Sequence, residues 1–180
     1  HWKQMSPDRR LLMMLIIGAC FHESVLEVRN NSSAEAWVSV ENGPEYHIPA
    51  KGSSTLSYPS PRTMLIHYHG HHILPGQIFI DMNVAGGNYM SLEPNCGALR
   101  LQNSSDRDIG EIRVSPAGQN TWGENVLQTD LEAHEDFHIS LSPGFYDLRI
   151  KDRHGNIFYI SAQEIVLDLT RTYLFSGINP

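Results

Sequence analysis

From residue 24 onward, apolar and polar positions alternate in short runs divided by Asn, Ser, Gly and Pro. Val25-Leu26-Glu27-Val28-Arg29 alternates and stops at Asn30-Asn31-Ser32-Ser33. Ala98-Leu99-Arg100-Leu101-Gln102 alternates and stops at Asn103-Ser104-Ser105. A two-residue period places one side chain in the core and the next in water, which is the signature of a half-buried strand. No segment after Cys20 keeps a helical period over about 11 residues. Short strands with regular turn signals predict an all-β chain of the sandwich type.

The pattern also repeats. Ala36-Trp37-Val38-Ser39-Val40 and Glu111-Ile112-Arg113-Val114 follow the two stops. At a constant offset of 83, Ile48, Ala50, Leu56, Tyr58 and Leu65 fall on Leu131, Ala133, Ile139, Leu141 and Leu148. Further on, Gln77-Ile78-Phe79-Ile80 matches Glu164-Ile165-Val166-Leu167. The expectation is two tandem, sequence-related β-sandwich units of immunoglobulin or transthyretin type, spanning 24–95 and 97–179. Glu93-Pro94-Asn95-Cys96-Gly97 forms the joint. The second copy, with Ser115-Pro116-Ala117-Gly118, Trp122-Gly123-Glu124-Asn125-Val126-Leu127 and Pro143-Gly144-Phe145-Tyr146-Asp147-Leu148-Arg149, resembles a small β-sandwich module of exported bacterial proteins. That resemblance covers residues 99–179 and implies a fold; it carries no activity.

Ahead of the strands, Arg9 and Arg10 precede the uncharged run from Leu11 to Ala19, which ends at Cys20. A basic start, a short apolar stretch and small residues make a secretory signal, too short for a spanning helix of ~20 residues. Ile17-Gly18-Ala19-Cys20 resembles the lipobox of bacterial lipoproteins. The resemblance implies a signal peptide over 1–19, a lipidated Cys20 with a tether over 20–23, and a membrane-anchored place in the cell envelope. Phe21, where an Asp would retain the protein at the inner membrane, favours the outer membrane. Met5 is a natural start, and His1–Gln4 are read as extraneous.

From Cys20 on, ten Lys/Arg face nineteen Asp/Glu, a net charge of −9. An acidic body without a basic stripe is not a nucleic-acid binder. With Cys20 lipidated, Cys96 is single and reads as a small buried residue. Without lipidation, a Cys20–Cys96 disulfide becomes possible in an oxidising compartment.

Three motifs carry chemistry. His134-Glu135-Asp136-Phe137-His138 matches H-E-x-x-H, which binds zinc only on a helix, where both His share one face a turn apart. The apolar alternation at Phe137, Ile139 and Leu141 predicts a strand, in which the two His stand ~13 Å apart; a zinc metallohydrolase is a remote alternative. His67, His69, His71 and His72 form a tract whose first two members share a strand face ~6.5 Å apart. The tract is a candidate zinc or copper site; otherwise it is a solvated hairpin end. His47 and His154 read as solvated loop residues. The polar loop of Trp122, Glu124 and Asn125, absent from the first copy, is a candidate contact for a protein or glycan partner; the alternative is a Trp122 that tucks back as a lid. No nucleophile elbow, phosphate loop or dinucleotide motif is present. The expected role is non-catalytic binding or structure, without a required cofactor.

Overall fold

The computed structural model describes residues 24–58, 62–83 and 87–178. The leader and Cys20 lie outside these residues. All of the regular elements among the described residues are strands.

The first unit contains β1 (Ser24–Asn30), β2 (Ala36–Val40), β3 (Glu45–Ile48), β4 (Ser53–Tyr58), β5 (Thr63–Gly70), β6 (Ile73–Asp81) and β7 (Asn88–Leu92). They form two sheets, ordered β4-β1-β7 and β3-β2-β5-β6. β1 runs antiparallel to β4 and parallel to β7. In the immunoglobulin arrangement the first two strands share a sheet; here they lie in opposite sheets. Leu26, Val28, Val38, Ile48, Leu56, Met64 and Ile66 point between the sheets and form one core.

The second unit repeats this with β8 (Gly97–Asn103), β9 (Ile109–Pro116), β10 (Asp136–Leu141), β11 (Gly144–Asp152), β12 (Ile157–Ile165) and β13 (Thr170–Phe175). Its sheets are β10-β8-β13 and β12-β11-β9. Leu99, Leu101, Ile112, Ile139, Leu148 and Ile150 build a separate core. The counterpart of β3 is reduced to a single antiparallel bridge between Ile109 and Leu131. In its place residues 119–127 run along β9, bound by Gly123 N to Val114 O (3.0 Å) and Val126 N to Ile112 O (2.9 Å). Asn125 completes the pairing: its Oδ1 accepts from Ile112 N and Leu127 N, and its Nδ2 donates to Gly110 O. This segment covers what would otherwise be a free edge of β9.

Each unit is pinned by one buried asparagine at the stop the sequence marks. Asn30 Nδ2 donates to Ala34 O (2.7 Å) and Pro49 O (3.2 Å), while its Oδ1 accepts from Ser32 N and Ser32 Oγ. Asn103 repeats the set, with Nδ2 to Arg107 O (2.7 Å) and Glu132 O (3.0 Å), and Oδ1 to Ser105 N and Ser105 Oγ. Both asparagines are fully buried, where an amide must find every partner inside the protein.

The repeat holds as the sequence predicts through β4 and β10: Leu26 opposes Leu56 as Leu99 opposes Ile139. It then slips. Leu65 lies on the outer face of β5 opposite Phe79, whereas Leu148 is fully buried opposite Ile160. The path from Leu56 to the next core position, Ile66, is ten residues, and that from Ile139 to Leu148 is nine; with a period of two, that one residue exchanges the faces. Ile66 is therefore the counterpart of Leu148. Gln77–Ile80 lies within β6, but Val166 and Leu167 lie beyond the end of β12, so that match is not structural.

Candidate functional site

The two cores do not merge; a polar joint connects the units. Asn95 N and Cys96 N donate to His72 O (3.1 and 3.3 Å), and Asp168 N donates to Cys96 O (3.0 Å). Gly97 passes so close beneath the 166–169 turn that a Cβ there would stand 2.1 Å from Val166 O. His72 is buried at the centre, its Nε2 against Thr170 Oγ1 (2.8 Å) and its Nδ1 against both Asp168 Oδ1 (3.1 Å) and Ser33 Oγ (3.1 Å). Asp168 also accepts from Ser33 N (2.7 Å) and faces Lys51 Nζ at 3.7 Å. Burial pushes the Asp168 carboxyl up, but hydrogen bonds from Ser33 and His72 and the Lys51 charge outweigh it and hold it below its ordinary value. Cys96 is fully buried within the joint, and burial alone pushes its thiol up to about 11; at neutral pH such a thiol is unreactive.

Beside His72, the rings of His71 and His138 stack across the joint with centroids 4.0 Å apart and planes 7° from parallel. Ser140 Oγ donates to His71 O (3.0 Å) on the same contact. Burial holds both imidazoles below the ordinary histidine value; His138 lowers His71 further, while Arg100 and His72 lower His138 against the opposing pull of Asp136 and Glu35. Trp37 lies next to them: His71 meets it edge-on at 5.3 Å, His69 stacks on it at 5.4 Å, and His47 is tilted against it at 5.7 Å. His69 Nε2 also contacts Glu45 Oε1 (2.9 Å). His47 is thus a strand residue within an aromatic row, and not the loop residue the sequence suggests.

The four histidines of the tract therefore part company. His67 and His69 lie on the outer face of β5, opposite Gln77 and Trp37 in the neighbouring strands. His71 stacks on the second unit, and His72 is buried in the joint. Among the described residues, no three His, Cys, Asp or Glu side chains converge on a point that would hold a metal ion. The H-E-x-x-H string is likewise divided. His134 sits exposed in a turn at φ 69°, and His138 is in strand β10, so the one-turn helical spacing that zinc requires does not occur.

On the far unit, Trp122 is half-buried and leans on exposed Tyr159 with centroids 5.9 Å apart. It covers the outer face of the β12-β11-β9 sheet and takes no part in the core. Arg149 and Arg113 lie in the same cross-strand row as Tyr159, and both engage Glu111 (2.9 and 3.2 Å). Glu124 is exposed beside Trp122, while Asn125 has its amide committed to β9 and the adjoining backbone. Sequence reasoning missed Tyr159 and the whole Trp37–histidine row, because cross-strand neighbours are set by register and carry no mark in the linear string.

The fold defines a class: an all-β chain of two sandwiches with separate cores. No family model and no curated protein matches it. Among solved structures it is similar to the Bacillus anthracis TIE protein, at 12% identity and a TM-score of 0.30 over 86% of this chain and 34% of that one. It is also similar to the tip fimbrial protein Mfa3 from Porphyromonas gingivalis with C-terminal truncation, at 11% identity and a TM-score of 0.29 over 77% and 81%. The chain thus spans about a third of the length of the first. Overlaps this low carry no argument about function.

Proposed function

We propose that the chain is a lipid-anchored, non-catalytic protein of the bacterial cell envelope, tethered through Cys20 at the outer membrane and binding a protein or glycan partner. The observation that carries this reading is the direction of the chain. Ser24 begins at the end of the first sandwich remote from the joint, where its Oγ donates to Met82 O (3.1 Å). A tether at Cys20 therefore places the first sandwich next to the membrane and the second beyond it. The Trp122–Tyr159 face, with Glu124 at its rim, then lies on the distal unit, where an aromatic surface bordered by polar groups can meet a sugar ring or a peptide.

Two substitutions test the reading. Cys20→Ser releases the protein from membranes; a variant that still pellets with them refutes the tether. Trp122→Ala lowers recovery of crosslinked partners from intact cells at least several-fold while the melting temperature stays nearly constant, because Trp122 lies outside the core. Unchanged capture refutes the contact surface.

A further inference from the structure

The end of the first sandwich nearest Cys20 has a distinctive surface. Ser24 pairs with Tyr58, and Leu26 opposes Asn88, so the starts of β1 and β7 and the end of β6 lie together. Three residues, Phe21 to Glu23, separate Cys20 from Ser24, a reach of at most ~14 Å. β6 and β7 are edge strands of the two sheets on the same flank. Phe79 and Tyr89 project from the outer faces of β6 and β7, on opposite sides of the flank, at 70% and 57% exposure, and Ile78 faces the seam between them at 44%. Phe79 lies three residues from Met82, about 10 Å along the strand, and Tyr89 follows Asn88 directly. An apolar groove opens between the two strands, lined by Ile78, Ile80, Tyr89 and Met90. The matching seam of the second sandwich is closed, since Phe158 and Phe175 meet edge-to-face at 5.0 Å and are both buried.

We infer that the β6–β7 flank of the first sandwich is a membrane-contact surface that meets the bilayer edge-on, with Ile78 at the seam and Phe79 and Tyr89 on either side of it entering the headgroup boundary of the bilayer that holds the anchor. The inference rests on the tether proposed above. A bilayer is the occupant because the short reach from Cys20 to Ser24 keeps this flank within a tether's length of the lipid. Phe and Tyr are side chains that settle at that boundary. The charged groups nearby are Asp81, Glu27, Glu93, Arg29 and the Arg62–Glu41 pair, so the flank has no net positive charge with which to seek anionic lipid. The contact is apolar, and anionic lipid does not strengthen it.

The test uses the full lipidated protein in phosphatidylcholine vesicles, with and without phosphatidylglycerol. Nitroxide labels are placed at Phe79→Cys, Tyr89→Cys and Tyr159→Cys; all three positions are exposed, so folding is spared, and Cys96 is buried. Power saturation compares collision with oxygen, which concentrates in lipid, and with a nickel chelate, which stays in water. At positions 79 and 89 the oxygen-to-nickel ratio is expected to exceed that at 159 several-fold, equally in both vesicles. Equal ratios at all three positions in protein that co-sediments with vesicles overturn the membrane face and leave the tether standing. A ratio that rises only with phosphatidylglycerol overturns the apolar contact. Protein that does not co-sediment overturns both readings.

Discussion

Replacing Asp168 by Ala tests whether the joint binds the two sandwiches into one cooperative body. The carboxylate accepts from Ser33 N at 2.7 Å and faces His72 Nδ1 at 3.1 Å, with the imidazole almost fully buried. A hydrogen bond to a charged group contributes about 1.5–3 kcal/mol, and the buried imidazole cannot turn to water for a replacement. Ser33 is exposed, and water restores its amide at small cost. Lys51 is exposed at 3.7 Å and adds at most about 1 kcal/mol. The expected loss is about 2–3 kcal/mol, a fall in melting temperature of roughly 5–10 °C for a body of this size. Urea unfolding followed by circular dichroism measures it. The dependence on pH provides the check. The carboxyl lies below its ordinary value of 3.8 in the fold, so its contribution is complete above that value and is lost as pH falls below it. The difference between wild type and Asp168→Ala should close under strongly acidic conditions. A loss below about 0.5 kcal/mol at neutral pH, against the 1.5–3 expected, refutes the reasoning.

The stacked His71 and His138 are held below the ordinary histidine value by burial, so the unfolded chain binds more protons than the fold as pH drops through about 6.5. Stability should be complete above that pH and decline below it, by up to about 2.7 kcal/mol per pH unit where both rings titrate; the His71→Phe/His138→Phe protein, measured in the same urea series, should decline less. Asn103→Ala and Asn30→Ala each strand several buried partners and should cost about 3 kcal/mol or more, read from the urea midpoint. Gly97→Ala pushes a methyl against Val166 O and should cost about 3 kcal/mol, with disturbed amide resonances confined to the joint in a two-dimensional nitrogen–proton spectrum.

The local rules were legible in the string. Alternation at Leu26-Glu27-Val28-Arg29 places Leu26 and Val28 in the core because a strand has a period of two and one face is buried. The polar stops at Asn30 and Asn103 mark turns whose buried amides the fold then uses twice. The duplication was legible as far as its offset stayed constant, and it failed at Leu65, where one deleted residue reverses the inward and outward faces.

Tertiary structure decided what those segments touch. His67, His69, His71 and His72 read as one tract because they are close together in the chain, yet the turn after Gly70 leaves the first two on a sheet face and carries the other two into the joint. Trp37 and Tyr159 gain their roles from strand register, and Asn125 from taking the place of a strand reduced to one bridge. Periodicity is a property of neighbours along the chain, whereas register and the packing of one unit on another depend on contacts between residues far apart in sequence. Strands, turns and duplication therefore follow from the string alone; the joint, and the surfaces that lie toward Ser24 or away from it, emerged only in three dimensions.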